Sequence, residues 1–272
     1  YLFCDLAVVG AGPAGLSAAL EAADAGVSVL LIDEQPELGG ALTYHRFAIE
    51  TQAQHEVSEE LIAAVASHPR IRILASALCN GWFTDHYLPV IQGDRLFKVR
   101  AKTTVLATGT SEQHVVFRNN DLPGTILCSA LERLLCHYGV APDGKLVVLA
   151  GNDQAWLTAL TASDAGMHVS AVVDLRESPD DPALQAEMAR RGIETYLSAT
   201  VYEAERDAQT QSLTRVHICR LAGQGEVAES LDILDCCVLA MSAGFMPAYQ
   251  LACQAGGQLR YDDDCAALTL RG

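Results

Sequence analysis

The stretch "DLAVVGAGPAGLSAALEAADAG" leaves this chain few folds to choose from. Leu6 to Val9 read as a short apolar strand, and Gly10, Gly12 and Gly15 follow it in G-x-G-x-x-G spacing. Glycines at those points meet three needs: a tight turn, close approach of a pyrophosphate to the backbone, and close packing of helix on strand. Pro13 suits the first helical turn, where its missing N–H costs nothing. Gly26 ends the helix at a usual C-cap position. The unsatisfied N–H groups and the dipole make this helix N-terminus an anion site. A second apolar strand, "VSVLLID", ends at Asp33, where a carboxylate can accept from adenosine ribose hydroxyls.

The outline recurs at "KLVVLAGNDQAWLTAL", Lys145 to Leu160, with altered chemistry. Asp153 and Trp156 stand where the pattern wants glycine. Asp153 would bring a carboxylate up to a pyrophosphate, a costly like-charge contact. Trp156 would push the helix off the strand or fill the groove. "SAVVDLR" reads as the next strand and ends at Asp174, either a ribose ligand or a solvated carboxylate. The expectation is a second unit that keeps the fold and loses the tight pyrophosphate site. Between the two units "SEELIAAVASH" reads as a helix, and "RIRILASALCNGWF", "YLPVIQ" and "RLFKVRA" as strands, the last pair turning at Gly93-Asp94.

A chain of 272 residues suits two modest domains or one large one, and 50% hydrophobic content supplies their cores. A net charge of −16 argues against nucleic acid and against anionic membranes as partners. No apolar run approaches the roughly 18 residues of a membrane span. No basic leader precedes the first strand, which points to a cytoplasmic protein, and there is no initiating Met. Nine cysteines without a C-x-x-C read as reduced, buried residues, with adjacent Cys236 and Cys237 on opposite faces of an apparent strand. No histidine spacing suggests a metal, and "YDDDC" at 261 to 265 reads as a solvated loop. His45 and Arg46 read as a surface pair, with a catalytic role as the alternative.

Two further phrases, "DEQPELGG" and "TTVLATGT", resemble the two-dinucleotide-domain flavoproteins of the glutathione and thioredoxin reductase superfamily. The resemblance implies an α/β fold of two Rossmann-like domains, the second inserted into the first. It places 1–112 in an FAD-binding domain, 113–240 in a second, NAD(P)-type domain, and 241–272 in a return segment. It makes Gly10, Gly12, Pro13, Ala14, Gly15, Asp33, Glu34, Gln35, Gly40, Ala41, Leu78, Thr108 and Gly109 dinucleotide contacts, with FAD in the first site and NAD a candidate for the second. Disulfide reduction is set aside, because "ALTYHRFAIETQ" after Gly40 has no cysteine.

The phrases "FRNNDLPG", "VVDLR" and "LAMSAGFMPAYQLACQAGGQLRYD" narrow the resemblance. They are similar to the alpha subunit of heterotetrameric sarcosine oxidase and to alpha-like subunits of opine oxidases, hydrogen cyanide synthase and dye-linked proline dehydrogenases. The expected partner is then a beta-type amine oxidase subunit, and the expected substrate a small amine or imino acid. The resemblance also runs His45 and Arg46 near the flavin or partner side. The family's later Gly-Asp motif does not appear before "LTLRG", and neither do its cysteine-rich or folate-binding parts. Three readings follow: a flavin-dependent alpha-type subunit, a stand-alone FAD-dependent NAD(P)H oxidoreductase, and a non-catalytic nucleotide-binding subunit.

Overall fold

A computed structural model describes residues 1–48, 50, 52–223, 225–263 and 267–271, so Asp264 and Cys265 lie outside the described residues. The chain divides into two units, Tyr1–Thr43 with Gln52–Ser111 and Met246–Gly272, and Tyr44–Thr51 with Glu112–Phe245.

The first unit runs β1 (Leu2–Val9), α1 (Pro13–Asp24), β2 (Val29–Ile32), α2 (Gln52–Ser67), β3 (Ile71–Leu74), β4 (Leu78–Cys79), β5 (Tyr87–Gln92) and β6 (Arg95–Leu106). They form one sheet in the order β3-β2-β1-β6-β5-β4, parallel from β3 to β6 and antiparallel from β6 to β4. Leu6 and Val8 of β1 pack with Leu16 and Ala19 of α1, while Ala7 and Val9 belong to a second core with Leu88, Val90 and Val99. A central strand apolar on both faces is what a covered parallel sheet requires.

Two expectations change here. "RIRILASALCNGWF" is two strands, because the main chain at 76 and 77 turns to bond Gln35 and Asp33 rather than continuing the ladder. "RLFKVRA" and "TTVL" are one strand, β6, which pairs with β5 at its start and with β1 along most of its length.

Thr110–Gln113 (β7) leads into the second unit. There the chain forms β8 (Thr125–Leu127), α3 (Cys128–Tyr138), β9 (Lys145–Ala150), α4 (Asp153–Asp164), β10 (His168–Asp174), α5 (Pro182–Arg191), β11 (Glu194–Tyr196), β12 (Ala199–Arg206), β13 (Leu213–Gly223), β14 (Glu226–Asp235) and β15 (Val238–Ser242). A parallel sheet, β11-β10-β9-β15-β8, carries α3 and α4 on one face and the antiparallel sheet β12-β13-β14 on the other. Alternation along β9 divides its side chains: Leu146, Val148 and Ala150 face the helices, Val147 and Leu149 the second sheet. Gly244–Pro247 (β16) leads back to the first unit, which ends with α6 (Gln250–Gln254) and the hairpin of β17 (Gln258–Asp262) and β18 (Ala267–Arg271).

The described cysteines are unpaired, and Cys79, Cys128, Cys219 and Cys236 are buried, whereas Cys136 and Cys237 are exposed. Cys236 and Cys237 lie between β14 and β15 rather than within a strand, Cys236 buried and Cys237 exposed. Burial pushes the Cys236 thiol up to about 12, which keeps it protonated and inert. Among the described residues no helix is long and apolar enough to cross a membrane, and no cluster suits a metal ion.

Candidate dinucleotide-binding site

The first turn is built by contacts that fix three of its four glycines. Gly10 adopts φ +102°, and a Cβ there would lie 2.1 Å from the Ala107 carbonyl oxygen. A Cβ on Gly15 would lie 1.8 Å from the Gly10 oxygen, so α1 sits directly on the turn. One on Gly40 would lie 2.9 Å from the Gly12 Cα. Gly12 is different: a Cβ there would meet nothing within 4 Å. It is the N-cap of α1 and supplies no side-chain bond, while Pro13 follows at N1. The first-turn N–H groups of α1, those of Ala14 and Gly15 among them, thus have no intrahelical acceptor and no capping side chain. Packing explains Gly10, Gly15 and Gly40, whereas no protein contact requires a glycine at position 12.

Asp33 follows β2 and closes the same turn. Its Oδ2 accepts from Ala11 N at 2.5 Å and its Oδ1 from Gln35 N at 2.7 Å. A carboxylate offers about four acceptor positions, so roughly half of Asp33's capacity is left for hydroxyl donors. Glu34 and Gln35 are exposed beside it, and Gly40 and Ala41 open a short 3₁₀ turn closed by Thr43 Oγ1 donating to Gly40 O at 2.7 Å. Leu78 comes near through its predecessor, since Ala77 N donates to Asp33 O at 2.8 Å. Thr108 and Gly109 follow Ala107, which underlies Gly10, and Thr108 Oγ1 donates to Ala248 O at 2.9 Å. The Thr108 hydroxyl therefore tethers the return segment, a role its motif does not announce.

This site carries a first prediction. With 2′-phospho-ADP the Asp33 carboxylate would face a phosphate, so ADP should bind at least about tenfold tighter, ~1.4 kcal/mol. Competition binding measures it, and equal affinities would show that Asp33 does not face the ribose.

The second turn has the same outline and opposite contents. Asn152 caps α4, accepting from Ala155 N at 3.2 Å. Asp153 is not aimed at an open helix end: it accepts from Asp180 N at 3.0 Å, Asp181 N at 2.9 Å and Arg176 Nη2 at 2.8 Å. Burial works to raise its carboxyl, but the backbone donors and Arg176 outweigh that and hold it below the usual range. Trp156 neither intrudes on a groove nor lies loose; it is fully buried in the core, and its Nε1 donates to Asp174 Oδ2 at 2.6 Å.

Asp174 is neither solvated nor available to a ribose. It is fully buried and accepts four bonds, from Trp156 Nε1, Arg176 N at 2.8 Å, Arg176 Nε at 3.1 Å and Arg176 Nη2 at 2.9 Å. Its capacity is filled from within the chain.

His45 and Arg46 are not a surface pair. Arg46 is buried; its Nη1 donates to Asp164 Oδ2 at 2.5 Å and its Nε to Ala48 O at 2.9 Å. His45 Nδ1 pairs with Glu132, whose carboxylate is fully buried on α3 and also accepts from Gln154 Nε2 at 3.1 Å and Thr158 Oγ1 at 3.0 Å. Burial raises the Glu132 carboxyl, although His45, Thr158 and Gln154 draw it back down. Glu132 had a sequence signal: with Cys128, Leu131 and Leu135 it falls at i, i+3, i+4 and i+7, so it stands on the apolar stripe of its helix. These bonds hold Tyr44–Ala48 against α3 and α4.

Residues 4–267 match the family described as pyridine nucleotide-disulphide oxidoreductase. Over 100% of its length the chain is 31% identical to the sarcosine oxidase alpha chain of Rhizobium meliloti (strain 1021), of which it spans 27%. Over 96% it is 25% identical to an opine oxidase subunit of Agrobacterium tumefaciens (strain Ach5), spanning 56% of that protein. In fold it is similar to thioredoxin reductase of T. acidophilum, with a TM-score of 0.73 and 21% identity over 96% of this chain and 83% of that one.

Proposed function

This chain belongs to the pyridine nucleotide-disulphide oxidoreductase family, and from that premise we propose that it is the FAD-binding, alpha-type subunit of a cytoplasmic oxidase or dehydrogenase acting on amines or imino acids. The observation that carries the reading is Gly12, the one glycine of the first turn that no protein contact requires. Its open position, the uncapped start of α1 and the half-used Asp33 carboxylate fit the pyrophosphate and ribose of a dinucleotide. Gly10, Pro13, Ala14 and Gly15 would lie along the pyrophosphate, Asp33, Glu34, Gln35 and Leu78 around the adenosine, and Gly40, Ala41, Thr108 and Gly109 further along the cofactor. A bound isoalloxazine supplies the two-electron chemistry, and the chain's part is to place it and set its surroundings.

The stand-alone NAD(P)H oxidoreductase is the weaker reading, since it needs a second nucleotide site and Asp174 is already filled. The amine or imino-acid substrate and the beta-type partner rest on likeness to the oxidase subunits. Two measurements test the proposal. Purified protein supplied with FAD should show flavin absorbance, and NADH alone should not bleach it. With an artificial acceptor the isolated chain should oxidise secondary amines or imino acids at background rates, rising on addition of a beta-type subunit. Full turnover by the chain alone would remove the partner, and bleaching by NADH would restore the stand-alone enzyme.

A further inference from the structure

Glutamates are almost never fully buried unless paired, and Glu132 of α3 is fully buried. Its Oε1 accepts from Thr158 Oγ1 and Gln154 Nε2 of α4, and its Oε2 meets His45 Nδ1. Thr158 and Gln154 are neutral donors. Among the described residues His45 is therefore the one group bonded to Glu132 that can balance its charge. The imidazole is itself only 9% exposed, with the rings of Tyr44 at 4.5 Å, Phe47 at 6.1 Å and Phe245 at 6.1 Å around it. Solvent does little to screen a pair so enclosed.

The surrounding charges do not supply another counter-ion. On α3, Arg133 is exposed and donates to the Tyr44 hydroxyl at 3.0 Å, and the His137 ring lies 5.6 Å from that of Tyr44. Cys128 and Cys136 of the same helix have thiols pushed up, chiefly by burial, so both stay neutral. From β7, Glu112 accepts from Ser129 N at 2.8 Å, and its charge helps to raise Cys128, as that of Glu132 does. On α4, Asp164 is taken by Arg46 and by Arg191 of α5. Two carboxylates and one imidazole thus share this corner, which favours keeping a proton in it.

We infer that Glu132 is a positioning residue: by sharing one proton with His45 it clasps Tyr44–Ala48 to α3 and α4, and through that segment it steadies the Gly40–Thr43 turn. Imidazolium with carboxylate and imidazole with carboxylic acid are both neutral overall, and the two groups titrate as a unit. Loss of the shared proton leaves a lone anion in a closed site, with Glu112 nearby, and such a charge is strongly disfavoured. Burial accordingly raises the Glu132 carboxyl, against the pull of its three donors. A group raised in the folded state stabilises it at lower pH, and that contribution is lost as pH rises through its folded value. The clasp therefore loosens as the solution becomes alkaline. Its grip is passed on by chain continuity, since Tyr44 directly follows Gly40–Thr43, where a Cβ on Gly40 would lie 2.9 Å from the Gly12 Cα. The effect on cofactor rests on the function proposed above, in which Gly40 and Ala41 lie along FAD.

The test follows amide exchange of Tyr44–Ala48 in the whole chain, supplied with FAD, between about pH 5.5 and about pH 9, where imidazoles and raised carboxylates titrate. Each rate is corrected for the intrinsic effect of pH on exchange. Protection in the natural chain should fall about tenfold per pH unit above the pair's apparent value, as for a single proton. Glu132→Gln keeps an oxygen to accept from Thr158 and His45 but carries no charge, so its protection should stay level. Arg133→Gln removes a bond to Tyr44 from the surface and should lower protection alike at every pH. FAD release should quicken as pH rises in the natural chain and not in Glu132→Gln. A level profile in the natural chain, or a fall that Glu132→Gln shares, would overturn the clasp. Falling protection with FAD release indifferent to pH would overturn the positioning role. If no FAD binds, the function proposed above fails, and the amide profile still decides the clasp.

Discussion

Gly12→Val should strip the dinucleotide from the protein and leave the fold in place. A Cβ at this position meets no protein atom within 4 Å, and Gly12 has φ −73°, which any residue adopts. The substitution therefore faces no backbone strain and no collision at Cβ. Its branched side chain would stand at the uncapped start of α1, where a pyrophosphate must approach the main chain. Denaturing extraction should recover less than about one-hundredth of the natural nucleotide content, the equivalent of ~2.7 kcal/mol or more in binding. Circular dichroism should change little. The contrast lies at Gly15, where a Cβ would sit 1.8 Å from the Gly10 oxygen and substitution should damage the fold itself. Unchanged nucleotide content in Gly12→Val would remove the site from the turn.

The second large effect is a crossing of two aspartates at matching strand ends. Asp33→Ala removes an acceptor from two backbone donors and should cost about 1–3 kcal/mol of stability; its main effect should be lost nucleotide. Asp174→Ala removes the acceptor of the Trp156 indole and of the Arg176 guanidinium in a fully buried position. Breaking such a group should cost about 3–5 kcal/mol, and NADH affinity should not change. In the natural chain, with its first site filled, calorimetry should find no NADH binding tighter than roughly millimolar, about −4 kcal/mol. Low-micromolar binding abolished by Asp174→Ala would show that the Arg176 and Trp156 bonds open to admit a nucleotide.

Local requirements were legible because they are written in short stretches. A glycine that must turn, a strand that must be apolar on both faces and a carboxylate at the strand's end stand within about two dozen residues, so the first turn reads directly. The second turn read as altered in its chemistry, and the fold gives Asp153 and Trp156 other roles than those the sequence suggested. Asp153 looked like a charge in front of a helix; it is the anchor of the 176–181 loop. Trp156 looked like an obstacle; it is a core residue bonded to the carboxylate that a ribose would need. His45 and Arg46 looked like neighbours on a surface, because their partners Glu132 and Asp164 lie 87 and 118 residues away.

Sequence alone determined that two strand-turn-helix units exist and that the first has the glycines of a dinucleotide turn, since backbone sterics act over a few residues. Tertiary structure decided how much of each carboxylate is left to bind with. Asp33 and Asp174 occupy the same place in their patterns, but acceptor capacity is shared among every donor that folding brings near. Only the positions of Arg176 and Trp156 show that one is spent.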